Sequence, residues 1–430
     1  MKAEKDRIAL TPPMGWNSWD CYMSAVTEEE LLANARFQAA QLLPYGWEYV
    51  TCDIQWSEPH AGDQPGTEYR PFAPLCMDGF GRLLPAENRF PSAAGGKGFG
   101  PLAAKLHALG LKFGIHIMRG IPRQAVYART PVLGTSLTAA DIADPSAICL
   151  WNGDMFGTRN CPGAQAYYDS LFALYAAWGV DFVKVDDIAH TGPAESGGFA
   201  AAHDIQMIRR AIDGCGRAMV LSLSPGPAPV EKGWFLAQNA NMWRITNDFW
   251  DDWTLLKNMF LRCEIWQTHV APGCWPDCDM LPLGHIGVKF GQGRQSRFTP
   301  IEQKTMLTLW SIFRSPLMLG AELPSLDATT LALLQNRDVL RLNRHSFGAR
   351  QLARDENHAL WMSHDTDGDA YAALFNLSDE PRQLFMPLSE LGGSAFSCRE
   401  LWSGETVSAQ GTLAASIEPH GARLFKCTPR

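Results

Sequence analysis

No stretch of the 430-residue chain approaches the roughly 18 consecutive apolar residues that a membrane helix requires, so no membrane partner is expected. The opening residues, MKAEKDRIAL, are charged and lack the apolar core of a secretory signal. Positive charge is in deficit: 37 Lys and Arg stand against 45 Asp and Glu, a formal net charge of −8. Tracking a phosphate backbone needs clustered cations, so nucleic acid is excluded as a partner. No GxGxxG follows an early strand, which removes the main support for a dinucleotide cofactor. No fixed-period repeat and no low-complexity segment is present. The 11 cysteines are odd in number and dispersed, as at Cys21, Cys52, Cys215 and Cys427. With the charged start they read as reduced thiols of a cytoplasmic protein. Cys274 and Cys278 lie four apart, with Cys149 and Cys161 upstream, but the tight CxxC or paired His of a zinc site is missing. Free thiols, no metal and no cofactor are therefore expected.

What is present is the raw material of a large core. Hydrophobic residues make up 46% and charged residues 19%, ordinary for a globular chain. The 15 Trp are less ordinary; flat indole faces suit sugar rings, although they also fill cores. The length fits a single (β/α)₈ barrel of about 250 residues or more with one small added domain.

Short apolar, β-branched runs alternate with helical patterns up to about residue 335. Expected strands are Met14–Trp16, Glu48–Ile54, Lys112–Ile117, Phe182–Val185, Met219–Ser224, Met242–Thr246 and Pro316–Leu319, with one more near residues 266–271 completing eight. Expected helices include Thr27–Leu43, opened by a Thr27/Glu30 capping box, and Leu102–Leu109, Ala166–Trp178, His203–Ile212 and Ile301–Phe313. Near-continuous apolar strands alternating with helices indicate a parallel sheet covered by helices, and eight repeats favour a closed barrel. After about Arg341 the texture changes to short alternating segments split by turns such as Asp367-Gly368. The expected fold is α/β: a (β/α)₈ TIM barrel over residues 1–340, then a small C-terminal antiparallel β-sandwich over 341–430.

In such a barrel, functional side chains project from the C-terminal strand ends. There the chain places Asp53, His116 and Arg119, then Lys184, Asp186 and Asp187, then Arg244 and Asp248, then Asp277 and Asp279. Trp16, Trp19, Trp56, Trp250 and Trp253 are interleaved with them. Carboxylates, single cations and indoles around one mouth describe a pocket for a neutral polyol. Two carboxylates flanking a glycosidic bond can perform its hydrolysis. Any one of these acids alone reads first as an ion pair or a helix cap; Asp186 and Asp248 together, each at a strand end, form the pair of interest.

The same residues carry a resemblance. Thr11-Pro-Pro-Met-Gly-Trp-Asn-Ser-Trp19, Gly46-Trp-Glu-Tyr-Val-Thr-Cys-Asp53 followed by Trp56, and Leu111-Lys-Phe-Gly-Ile115 resemble the first three strand motifs of glycoside hydrolase family 27, the α-galactosidase and α-N-acetylgalactosaminidase family. Trp178-Gly-Val-Asp-Phe-Val-Lys-Val-Asp186 resembles its nucleophile strand and Trp243-Arg-Ile-Thr-Asn-Asp248 its acid/base strand. Trp275-Pro-Asp-Cys-Asp-Met-Leu281, Arg314-Ser-Pro-Leu-Met-Leu-Gly320 and Asn336-Arg-Asp-Val-Leu-Arg-Leu-Asn343 resemble the last barrel elements and the run into the β domain. The likeness holds in order over about residues 8–345.

The resemblance implies an exo-acting, metal-independent retaining glycosidase that takes a carbohydrate with a terminal galactose-like sugar. It makes Asp186 the nucleophile and Asp248 the general acid/base. Lys184 and Arg244 bind sugar hydroxyls, Asp53 holds the far end of the ring and Trp19 covers its apolar face; His116 and Ser224 fall at two further sugar-binding positions. A retaining pair stands about 5–5.5 Å apart, and Lys184 and Arg244 would keep Asp186 ionised. Asp248 must instead retain a proton, which desolvation by Trp250 and Trp253 is expected to secure.

Four positions depart from the family pattern. Ile54 replaces the second of two adjacent Asp, which removes a carboxylate from the O4/O6 edge of the ring. Ser224 stands where a Glu usually holds the 2-hydroxyl, and in the family Ser there accompanies N-acetylgalactosaminidases. His116 replaces a Tyr. Ile188 replaces a half-cystine, so the family's disulfide is absent here. The first expectation is α-galactosidase-type hydrolysis. The alternatives on the same scaffold are α-N-acetylgalactosaminidase, favoured by Ser224, and β-L-arabinopyranosidase, favoured by Ile54 because L-arabinopyranose is galactose without its 6-hydroxymethyl group. A Schiff-base aldolase using Lys184 and a sugar-binding protein without catalysis are the readings from other classes. Residues 120–162 form a longer connection than usual, carrying Arg123, Arg129, Trp151 and Asn152; it is read either as a rim over the pocket or as an ordinary packed loop. The sequence admits a homo-oligomer but specifies no interface for one.

Overall fold

The computed structural model describes residues 4–64, 69–70, 72–191, 199, 201–289 and 293–430. Its first sheet contains β1 (Met14–Asn17), β2 (Tyr49–Cys52), β3 (Lys112–Met118), β4 (Phe182–Asp186), β5 (Val220–Leu223), β6 (Met242–Arg244), β7 (Trp275–Asp277) and β8 (Leu317–Leu319). All its pairings are parallel, in the order β7-β6-β5-β4-β3-β2-β1-β8. The two edges meet just past β7, where Leu281 N donates to Met318 O at 2.8 Å and Gly320 N donates to Leu281 O at 3.0 Å. The sheet is thus drawn round on itself as the TIM barrel expected from the strand–helix alternation.

One element differs from expectation. Residues 266–271 are not a strand: Trp266 ends the helix Trp253–Trp266, and Gln267–His269 continue as a 3₁₀ turn. The buried positions Leu256, Met259, Phe260, Cys263 and Trp266 keep the helical period through residue 266, and the seventh strand follows only at Trp275. Elsewhere the local signals act as read. Thr27 caps the helix Glu28–Gln41, accepting from Glu30 N while Glu30 Oε2 accepts from Thr27 N at 2.9 Å.

The connection after β3 builds a small antiparallel sheet of its own, Ile121–Pro122, Met155–Thr158 and Ala143–Ile148, at the barrel mouth.

The chain leaves the barrel through the helix Arg337–His345 and enters eight antiparallel strands. These are β9 (Phe347–Arg354), β10 (His358–His364), β11 (Ala370–Asn376), β12 (Arg382–Pro387), β13 (Ala395–Glu400), β14 (Thr406–Gln410), β15 (Thr412–Ile417) and β16 (Ala422–Pro429). Their order is β9-β10-β11-β16-β13-β14-β15-β12, and the sheet folds over so that Met362, Ala372 and Leu374 meet Met386, Phe396, Cys398 and Leu413 in one apolar layer. This is the expected β-sandwich. Its other face shares the barrel's core: Trp361, Tyr371, Phe375 and Leu424 pack with the helices, and the Phe375 ring meets Phe260 at 4.8 Å. Trp253 stacks on His420 with ring centroids 3.8 Å apart, so this indole belongs to the seam between barrel and sandwich.

Candidate active site

Alternation along β4 supplies the centre of the site. Val183 and Val185 point outward into the helix-packed core, while Phe182 joins Tyr49, Val220, Met242, Trp275 and Met318 inside the barrel. Residues two apart share a face, so Lys184 and Asp186 rise above that apolar plug into the mouth. An open cavity of about 510 Å³ lies there. Trp19, Asp20, Asp53, Lys184, Asp186 and Arg244 line it, together with Asn247, Asp248, Phe249, Trp250, Asp279 and Met280. Tyr69, Trp151 and Pro225 complete the wall.

The wall built from β1 to β5 is closely paired. Lys184 Nζ lies 2.9 Å from Asp53 Oδ2, which also accepts from Asn17 Nδ2 at 2.7 Å. His116 Nε2 lies 3.0 Å from Asp186 Oδ2, and Ser224 Oγ donates to Asp186 Oδ1 at 2.9 Å. Burial alone would push the Asp186 carboxyl up; the contact with His116, the charge of Lys184 and the Ser224 hydroxyl instead hold it well below the ordinary carboxylate range. Asp53 is likewise lowered against its burial by Lys184, His116 and Asn17. Burial would lower Lys184, but Asp53 and Asp186 raise it above the usual ammonium range. A Schiff base needs the free amine, so this environment opposes the aldolase reading.

His116 and Ser224, both expected to touch sugar, are almost fully buried and do not line the main cavity. They grip the two oxygens of Asp186 from behind. Arg119 also turns away from the mouth. It donates to Asp187 through Nη2 at 2.6 Å and through Nε to the Asp187 carbonyl at 2.7 Å, pinning that residue at φ 56°. A non-glycine residue in the left-handed region needs such support, and here it sets the turn directly after Asp186.

The opposite wall is less balanced. Arg244 is the shared cation, with Nη2 3.0 Å from Asp248 Oδ1 and Nη1 2.7 Å from Asp279 Oδ1. Burial, with Asp248 and Asp277 nearby, raises the Asp279 carboxyl despite Arg244. The expected desolvation of Asp248 by Trp250 and Trp253 is not found: its side chain is 63% exposed and Trp253 lies in the domain seam. The cause is the loop after β6, which swings Asp248 out over the cavity while the helix beginning at Trp253 packs against the sandwich.

The connection over residues 120–162 contributes an aromatic ladder. Trp19 stacks on Tyr69 at 5.6 Å and 20°, and Tyr69 meets Trp151 at 5.4 Å and 44°. Trp151 is 41% exposed and its neighbour Leu150 97%, so the connection forms a rim. Arg123 does not reach the cavity; it stacks on Phe72 and Phe156 and donates to Gly153 O. Arg129 ends the helix Arg123–Ala128 in the left-handed conformation, outside the wall. Ile54 lies in a buried apolar cluster with Met118, Cys149 and Met155, against Trp19 and Tyr69.

Asp20 and Tyr69 were not singled out by sequence. Asp20 carries a readable signal, being next to Trp19 just past a strand end, whereas Tyr69 sits in a loop without periodicity. Among the described residues no group of three or more His, Cys, Asp or Glu is placed to hold a metal. Cys263 and Cys278 are free thiols with sulfurs 3.5 Å apart.

Comparison with known proteins gives the chain a family and near relatives. The family model described as alpha galactosidase A matches residues 149–345, and that of the alpha-galactosidase C-terminal beta-sandwich domain matches 355–427. Among solved structures, a family 27 β-L-arabinopyranosidase from Geobacillus stearothermophilus is 53% identical with a TM-score of 0.96, covering 100% of this chain and 99% of its own. A variant of that enzyme has a structure in complex with arabinose. A protein from Bacillus halodurans described as a "putative alpha-N-acetylgalactosaminidase" is 51% identical with a TM-score of 0.89, covering 98% of each chain. An α-galactosidase from Oryza sativa is 24% identical over 100% of this chain and 87% of its own length.

Proposed function

The chain belongs to glycoside hydrolase family 27, and from that premise we propose that it is an exo-acting retaining glycosidase whose preferred terminal sugar is a β-L-arabinopyranoside. The observation that carries the choice of sugar is Ile54. It sits beside Asp53 in an apolar cluster with Met118, Cys149 and Met155, packed behind Trp19 and Tyr69 of the cavity wall, so this position brings no carboxylate to the edge next to Asp53 that a 6-hydroxyl could use. L-Arabinopyranose has galactose's ring hydroxyls and no 6-hydroxymethyl group, and an apolar edge rejects a buried hydroxyl it cannot satisfy. The likeness to the Geobacillus arabinopyranosidase points the same way. Ser224 gives little support to an N-acetylgalactosaminide, because it is buried behind Asp186 and does not line the main cavity. α-Galactosides, the first expectation from sequence, become the second reading.

The mechanism follows from the two walls. Trp19 covers the apolar face of the sugar, while Asp53, Lys184 and Arg244 bind its hydroxyls. Asp186, kept ionised by His116, Lys184 and Ser224, attacks the anomeric carbon as Asp248 gives its proton to the leaving oxygen. The glycosyl ester on Asp186 is then hydrolysed by a water that Asp248 deprotonates, returning both groups to their starting states. The exposure of Asp248 at the open side of the cavity suits this double duty, since both the departing alcohol and the incoming water pass there. Release of p-nitrophenol from the β-L-arabinopyranoside, the α-D-galactoside and the α-N-acetylgalactosaminide tests the proposal. The arabinopyranoside is expected to lead in kcat/KM by at least about thirtyfold, roughly 2 kcal/mol. A lead for the galactoside would return the assignment to α-galactosidase.

A further inference from the structure

One carboxyl group on the cavity wall is left without a task. Asp20 follows Trp19 in the short helix Trp19–Tyr22 that leaves β1, and its side chain lines the cavity at 2% residue exposure. Among the described residues it makes no ion pair, and its Oδ2 is buried without a hydrogen-bond partner. Room for it comes from the far end of the barrel sheet. A Cβ on Gly320, just past β8, would stand 2.0 Å from Asp20 Oδ2 and 2.5 Å from its carboxyl carbon.

Its electrical surroundings decide its form. Lys184 is taken by Asp53 and Arg244 by Asp248 and Asp279. Burial first, then Asp279, Asp248 and Asp53, push the Asp20 carboxyl well above its ordinary range, and the charge of Lys184 opposes them without prevailing. A neutral carboxyl group offers one O–H donor and one acceptor, the same pair of functions as a sugar hydroxyl. A buried carboxyl group with one oxygen sealed against Gly320 and no partner is costly, and a ligand hydroxyl that meets its other oxygen lowers that cost.

We propose that Asp20 is a substrate-binding residue whose carboxyl O–H donates a hydrogen bond to a ring hydroxyl of the bound pyranose. The proposal rests on the glycosidase reading above, but not on which pyranose is preferred. It assigns to the β1–β8 side of the mouth a neutral contact with the sugar, in addition to the charged contacts from Lys184 and Asp53.

The test is calorimetric binding of free L-arabinose and free D-galactose to the wild-type chain and to Asp20→Asn, Asp20→Ala and Gly320→Ala. Asp20→Asn keeps a neutral donor and acceptor of the same shape and should stay within about threefold of wild type. Asp20→Ala should weaken binding by about tenfold or more. Gly320→Ala puts a methyl group in the carboxyl's place and should weaken binding similarly. Thermal unfolding of Asp20→Asn at or above the wild-type temperature would accompany this, because no buried charge pair is lost. Wild-type affinity in Asp20→Ala overturns the proposal, and so does Asp20→Asn binding as weakly as Asp20→Ala. If galactose binds and galactosides are cleaved better than arabinopyranosides, the substrate assignment falls and Asp20 is judged on galactose. Failure of the wild-type chain to bind either sugar overturns both.

Discussion

The two walls of the cavity hold the same kinds of residue in opposite states. On the β1–β5 side, Asp53 and Asp186 share Lys184 and receive Asn17, His116 and Ser224, so each buried carboxylate is compensated and held ionised. On the other side, Arg244 serves both Asp248 and Asp279, Asp20 makes no ion pair among the described residues, and burial raises Asp20 and Asp279. Chemical identity does not assign a role to an aspartate here. The count of donors and cations around each one does, because removing a carboxylate from water disfavours its charge unless something replaces the water. One wall is prepared to supply a nucleophile and the other to handle protons.

The sharpest way to break this contrast is Asp186→Ala. It should lower kcat by orders of magnitude while the chain still folds, and azide should restore turnover with an inverted glycosyl azide as product; near-wild-type turnover would remove the nucleophile from this wall. Asp248→Ala is expected to cost about 10² to 10⁴ in kcat with alkyl leaving groups, and less with p-nitrophenol, which departs without a proton. Equal losses with both kinds of leaving group would show that Asp248 is not the acid.

Smaller effects test the edges. Ile54→Asp restores a polar partner beside Asp53 and should shift the kcat/KM ratio toward the α-D-galactoside by about tenfold to a hundredfold. Trp151→Ala should raise KM by about threefold to tenfold for substrates with ring-shaped leaving groups and leave small alkyl glycosides unchanged, since only the former reach the rim. Unchanged KM across both sets would make the 120–162 connection a packing element.

The smallest effect concerns Asp154 behind that rim, where burial pushes the carboxyl up to about 6. Its partner is the Gln55 amide, which donates to it. The folded chain therefore binds a proton that the unfolded chain, at about 3.9, has already released, and stability falls as pH rises from about 4 to 6. Asp154→Asn should melt higher than wild type by a few degrees at pH 7.5, with the difference closing toward pH 4. A constant difference across that range would place the cause elsewhere.

Much of this was legible in the amino-acid order. Alternating apolar runs and helical periods gave the barrel, and the change of texture after residue 341 gave the sandwich. The spacing Lys184–Asp186 put both side chains on one strand face, as an extended backbone must. The seventh strand was missed because Trp266 carries helical periodicity that outweighs the short Trp275–Asp277 run. Tyr69, which joins Trp19 to Trp151, was invisible because its loop has no period and its partners are distant in sequence.

Sequence by itself determined that Asp53, Lys184, Asp186, Arg244 and Asp248 stand at strand ends around the mouth, since strand alternation and strand ends are local facts. Only the tertiary structure decided what each one does there. It turned His116 and Ser224 onto Asp186, carried Trp253 away to His420, and set Asp20 against Gly320. The reason is physical: a carboxyl group's charge depends on the donors, cations and water within a few ångströms, and those come from strands hundreds of residues apart.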